Sequence, residues 1–125
     1  MCILFFYIQI HVLFSLNSNI AFTKYHVTPA EGYILTSKKI GNQVIVDIKS
    51  VWMQIYQVLV IGWTDDNPIL FATNCIRVVD GNGNLLTLGY ANIHINDTSI
   101  KIYLPTDWAN GTFGHIQGTF SYYLQ

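Results

Sequence analysis

Trp63 and Trp108 lie in polar stretches, Gly62-Trp63-Thr64-Asp65-Asp66-Asn67-Pro68 and Thr106-Asp107-Trp108-Ala109-Asn110-Gly111-Thr112. An exposed indole offers a flat face to the apolar side of a pyranose ring, and adjacent Asp and Asn side chains supply hydrogen bonds. The sugar-binding candidates are therefore Trp63, Asp65, Asp66, Asn67, Trp108 and Asn110. The competing reading is that each indole folds back to cap the core, as large aromatic side chains commonly do. Trp52, the third tryptophan, sits at the start of an apolar run and belongs less clearly to such a set.

Catalytic chemistry finds little support. Asp65 and Asp66 are adjacent, and neighbours in a strand or turn point apart, so they do not make an acid–base pair by themselves. The single glutamate, Glu31, is far away in sequence. His94 and His115 stand without a serine, cysteine or aspartate in a nucleophile motif. Asp80-x-Asn82-x-Asn84 begins like a calcium loop. Such a loop then needs glycine at its sixth position and a bidentate glutamate at its twelfth, where this chain has Leu85 and Ala91, so a hairpin turn is the better reading. Cys2 and Cys75 make no disulfide framework and, with four scattered histidines, no zinc motif. The expectation is a non-enzymatic chain with no metal and no cofactor. Asn96-Asp97-Thr98 and Asn110-Gly111-Thr112 match the glycan-acceptor pattern, which matters only in a eukaryotic secretory pathway.

Composition narrows the partner classes. Charged residues are 10% of the chain, against roughly 25% in an ordinary soluble domain. Eight tyrosines, seven phenylalanines and three tryptophans must be buried between subunits or offered to a ligand. Net charge is −1 and the few Lys and Arg do not cluster beyond Lys38-Lys39, so no nucleic-acid footprint exists. At 125 residues the chain is one domain with enough surface to bury a core.

The elements that must position these residues read as strands. Residues 1–22 form an apolar leader: Ile3 to Leu16 has the length of a signal-peptide core, but no Lys or Arg precedes it and Asn19-Ile20-Ala21 is a poor cleavage site. A signal or membrane anchor, a strand, and an extension outside the domain all remain open for it. The domain then spans 23–125. Thr28 to Gly32 reads as a turn, Tyr33 to Ser37 as a short strand, and Lys38 to Asn42 as another turn. Gln43 to Val51 alternates, with Val44, Val46 and Ile48 on one face. Trp52 to Ile61 reads as one strand buried on both sides, with one short helix as the alternative. Ile69 to Val79 is a strand bent around Ala72-Thr73-Asn74. Hairpins follow at Asp80–Asn84 and Asn96–Thr98. Phe113 to Leu124 is a closing strand, apolar at Ile116, Phe120, Tyr122 and Leu124 and polar at His115, Gln117, Thr119 and Ser121. The fold class expected is all-β, an antiparallel β-sandwich of jelly-roll-like type, preceded by an apolar N-terminal segment.

The order of these motifs carries a resemblance. Thr28-Pro29-x-x-Gly32-Tyr33 is followed by Lys39-Ile40-Gly41-Asn42-x-Val44, an apolar strand and an Asn/Gly turn. Ser99-Ile100-Lys101-Ile102-Tyr103-Leu104-Pro105, a loop tryptophan, and Ile116-Gln117-Gly118-Thr119-Phe120-Ser121-Tyr122-Tyr123-Leu124 come next. Over about residues 23–125 this resembles the C-terminal β-sandwich tip modules of bacteriophage and prophage tail fibres and baseplate proteins. The chain departs from them at Gly62–Pro68, where those modules often carry a Leu-Pro-x-Gly-x-x-Pro loop, and it has no upstream fibre shaft. The resemblance implies a receptor-binding, host-attachment module of the virion tail, a homotrimer that contacts host surface polysaccharide. The alternative is a small secreted or membrane-anchored β-sandwich that binds carbohydrate or protein, with residues 1–21 as its signal peptide.

Overall fold

Alternation along the chain translates directly into strands. Val44, Val46 and Ile48 of one strand and Ile116, Phe120 and Tyr122 of another are fully buried on a common inner face. In the computed structural model, which describes residues 23–25, 27–68, 70–94 and 97–124, ten strands build the domain: β1 (Thr23–Tyr25), β2 (Thr28–Pro29), β3 (Tyr33–Ile40), β4 (Gln43–Ser50), β5 (Met53–Ile55), β6 (Val58–Trp63), β7 (Leu70–Val79), β8 (Leu85–Ile93), β9 (Ser99–Tyr103) and β10 (Thr112–Tyr123). No helix occurs among the described residues. The apolar segment 1–22 lies outside them.

The strands form one antiparallel sheet in the order β1-β3-β4-β10-β7-β8-β9-β6-β2, with β5 pairing separately onto the start of β10. The all-β, antiparallel expectation is met. The sheet coils on itself into a nearly closed, barrel-like shape, so the walls facing each other across the core are parts of one sheet. The coil depends on β8, whose first half pairs with β7 (Ile76↔Gly89) and whose second half pairs with β9 (Tyr90↔Tyr103). Gly89 marks the handover: a Cβ there would come within 2.7 Å of the Tyr103 carbonyl oxygen. The seam opposite is equally tight. A Cβ on Gly62 would lie 2.7 Å from Leu35 of β3 and 3.3 Å from Pro29 of β2, so the absent side chain lets β6 close against β2 and β3.

Between the walls lies a core of Ile, Val and aromatic side chains, including Ile55, Ile61, Ile76, Ile100, Ile102, Phe120 and Tyr122. Phe71 tilts against both Phe120 and Tyr122, with ring centroids 6.4 and 6.0 Å apart. The bend expected in β7 is present. Ser121 pairs with Thr73 while Tyr122 pairs with Phe71, so Ala72 is the extra residue of a bulge.

Several local expectations change. Thr28-Pro29 is a short strand on β6, and the turn begins at Ala30, whose carbonyl accepts the Tyr33 N–H. β3 runs on to Ile40, leaving Gly41-Asn42 as a two-residue hairpin loop with Gly41 at φ 60°. The run Trp52–Ile61 is two strands, interrupted at Tyr56-Gln57. There the Gln57 side chain donates to the carbonyls of Thr106 and Trp108, and the chain leaves β10 to join β9. β6 is also buried on one face only, Leu59 and Ile61 turning inward while Val58 and Val60 face out. Finally, Cys75 is buried and disulfide-bonded, against the expectation of no disulfide framework.

Candidate binding surface

Antiparallel register sets the outer face of β6, β9 and β8. Val58, Tyr103 and Tyr90 fall in one row across the three strands, and Val60, Lys101 and Asn92 fall in the next row on the same side. The two tyrosine rings stack with centroids 5.2 Å apart and planes 21° from parallel. Tyr90 is 54% exposed, as is Leu88 two residues earlier, and Val58 is 52% exposed. Leu88, Gly89, Tyr90, Tyr103, Leu104 and Pro105 line an open trough of about 300 Å3.

The chemistry of the face follows from its residues. Stacked phenol rings present a rigid, flat, apolar surface with hydroxyl groups at the rim. The Lys101 ammonium and the Asn92 amide lie one row away, offering donors beside the rings. A planar or ring-shaped ligand with hydroxyls at its edge suits such a surface better than a charged one does.

The residues proposed from sequence occupy two separate places. Trp63 ends β6, with an exposed ring beside the exposed Asp65 and Asn67. Asp66 instead turns inward, where its Oδ2 accepts from the Tyr122 hydroxyl at 2.7 Å and from Thr64 Oγ1 at 3.1 Å. It plugs the end of the core, so Asp65 and Asp66 do not face one ligand. Trp108 belongs to the opposite end of β6. Its Nε1–H donates to the Ile55 carbonyl at 3.0 Å and its ring packs against the core. Asn110 Oδ1 accepts the Gln57 N–H at 2.7 Å, binding the loop to the break before β6. From Val58, near the Trp108 loop, to Trp63 is five residue steps, about 17 Å of extended chain. The structure therefore leaves Trp63, Asp65 and Asn67 exposed along one stretch of chain and holds Trp108 and Asn110 in a loop scaffold elsewhere.

Asp80 closes the β7–β8 hairpin. Its Oδ1 accepts the N–H groups of Asn82 and Asn84, both at 2.9 Å, and these bonds hold its carboxyl below the usual carboxylate range. Asp97 does the same for the next turn, accepting from Ser99 N–H and Oγ, with its carboxyl likewise lowered. Among the described residues no cluster of three His, Cys, Asp or Glu side chains could hold a metal ion.

Sequence reasoning missed Tyr90 and Tyr103 because each reads as an ordinary strand residue. What joins them is the β8–β9 register, set by the turn that includes Asp97 and Thr98; the His94 carbonyl accepts the Thr98 N–H there. No family model matches the chain, and no curated protein matches it.

Proposed function

We propose that this chain is a non-enzymatic binding module that receives a sugar ring of a surface polysaccharide on the Tyr90–Tyr103 platform. One observation carries the reading: an exposed Tyr90 stacked on a half-buried Tyr103 beside an apolar trough, with Lys101 and Asn92 in the adjoining row. The exposed Tyr90 ring is costly to leave in water, and ring-on-ring contact with a pyranose covers it. The resemblance of the motif order to phage tail-fibre tips supplies the finer form of the proposal, a homotrimeric host-attachment tip. The exposed Leu85, Leu86 and Leu88 of β8 are apolar enough to be covered by a neighbouring subunit.

A glycan array with the wild-type chain, Tyr90→Ala and Tyr103→Ala tests the platform. Each substitution should weaken binding about tenfold, the loss expected for one aromatic stacking contact. Binding that survives both unchanged would remove the platform from consideration. Light scattering after size exclusion addresses the assembly, since a stable monomer would count against a fibre tip.

The disulfide at Cys75 favours a second reading, a small β domain that works outside the cytosol, because disulfides persist in oxidising compartments.

A further inference from the structure

We propose that Asn82 is a site of spontaneous covalent modification, converting to aspartate and isoaspartate by attack of the Gly83 backbone nitrogen, while the fold protects Asn110 from the same reaction. The chain contains two Asn-Gly steps, Asn82-Gly83 in the β7–β8 hairpin and Asn110-Gly111 in the loop before β10. Such steps are reactive because glycine has no Cβ to shield its own nitrogen or to restrict the backbone rotation that attack requires. By sequence alone the two are equal. Their surroundings are not.

Asn82 lies at the tip of an exposed turn. Its backbone N–H donates to Asp80 Oδ1, while its side-chain amide makes no hydrogen bond among the described residues. Gly83 is exposed with φ 84°, and a Cβ placed there would meet nothing within 4 Å. The Gly83 N–H donates to the Asp80 carbonyl at 3.0 Å, a bond inside the turn that breaks whenever the hairpin tip frays. Asn110 is exposed too, but both of its reacting groups are tied to distant parts of the fold. Its Oδ1 accepts the Gln57 N–H at 2.7 Å. The Gly111 N–H donates at 2.8 Å to the carbonyl of Ile55, a core residue of β5. The same carbonyl accepts the Trp108 indole N–H. Freeing Gly111 therefore means lifting the whole loop from β5, a larger opening than the fraying of a hairpin tip.

The reaction needs no enzyme. Base removes the Gly83 amide proton, and the nitrogen adds to Asn82 Cγ. The N–Cγ bond forms, the Cγ–Nδ2 bond breaks, and the departing nitrogen takes up a proton and leaves as ammonia. Water then opens the cyclic imide at either carbonyl, giving aspartate or isoaspartate. Overall an amide and a water become a carboxylate and an ammonium ion, with nothing oxidised or reduced. The product adds one negative charge to the formal net charge of −1. In the isoaspartate form the main chain runs through Cβ, and the added carbon moves the Gly83 and Asn84 N–H groups away from the Asp80 carbonyl and Oδ1 that now accept them.

The experiment incubates the folded full chain in mildly alkaline buffer, with a parallel sample in urea, and digests both briefly with trypsin. Cleavage after Arg77 and Lys101 separates the two steps, Asn82 within peptide 78–101 and Asn110 within peptide 102–125. Mass spectrometry with fragmentation reads the conversion at each asparagine. In the folded chain Asn82 should convert at least about tenfold faster than Asn110, and in urea the difference should disappear. Equal rates in the folded chain, faster conversion at Asn110, or an intact Asn82 overturns the proposal. A difference of the same size persisting in urea would assign the preference to sequence and overturn the role of the fold. Asn82→Ser, a change at an exposed side chain, should abolish most of the acidic form that ion exchange resolves from the native chain. Acidic form accumulating at the wild-type rate in that variant overturns the assignment to Asn82.

Discussion

The side chain of Asn74 completes a rung of the sheet with the backbone of Ala91. Asn74 Nδ2 donates to the Ala91 carbonyl at 2.6 Å, and Asn74 Oδ1 accepts the Ala91 N–H at 2.7 Å. The β7–β8 ladder ends at Ile76↔Gly89, and the next rung would pair Asn74 with Ala91. β8 has by then swung away to β9, and one amide side chain bridges the widened gap. Asn74→Leu keeps the branching and the number of side-chain heavy atoms but leaves the Ala91 N–H and carbonyl without this partner in a partly buried place. The expected loss is about 2 kcal/mol of unfolding free energy, read as a lower urea midpoint at unchanged slope. An unchanged midpoint would mean that the bridge is incidental.

Gly118 sits in the middle of β10, where a Cβ would come within 2.8 Å of Ile76 Cα and closer still to the Cys75 carbonyl oxygen. Backbone, unlike a flexible side chain, cannot step aside. Gly118→Ala should therefore push β10 off β7 and cost about 1–3 kcal/mol. Gly41→Ala serves as a partner experiment: open space surrounds that site, and only its left-handed φ of 60° opposes the substitution.

Tyr33 carries a buried hydroxyl with no hydrogen-bond partner, and burial pushes its pKa from 10.0 up to about 12. Below pH 10 the folded and unfolded chains both hold this proton. Between pH 10 and 12 the unfolded chain releases it while the folded chain keeps it, so stability falls as pH rises through that window. Tyr33→Phe should flatten this part of the alkaline limb in a series of thermal melts. At neutral pH it should leave stability equal or higher by up to about 1 kcal/mol, since it removes an unsatisfied polar atom. A steeper alkaline limb in the variant would contradict the assignment.

Trp63 and Trp108 should separate cleanly by measurement. Trp108 donates to Ile55 and packs on the core, so Trp108→Ala should cost about 3 kcal/mol, near the lower end for removing a core tryptophan. Trp63 has an exposed ring, and Trp63→Ala should fall within about 0.5 kcal/mol of wild type. Denaturant unfolding of both variants gives the comparison. Equal losses would show that the two rings are equally structural.

What could be read from the residues was what local rules govern. The inner face of β4, the bulge near Ala72, the Asp80 turn and the apolar face of β10 all follow from alternation, turn chemistry and residue type. Features that depend on which distant strand lies alongside were not legible. Gln57 reads as an ordinary polar residue until Thr106 and Trp108 are beside it. Tyr90 and Tyr103 become a platform only in the β8–β9 register. Ser121 looks like a solvent-facing residue of an alternating strand, yet it is buried and its Oγ accepts from Gln43 Nε2, a neighbour that periodicity does not reveal. The two indoles share polar surroundings in sequence, but β6 lies between them in space.

β10 holds a central place in the sheet, between β4 and β7, although it is the last strand in chain order. A chain leaving the ribosome must therefore carry β4 and β7 as unpaired edges until residues 112–123 have emerged. Its longest-range pairings form last, and these are slow to close and prone to wrong partners meanwhile. A chain stopped before Thr112 therefore leaves β4 and β7 each with an open edge that β10 would cover.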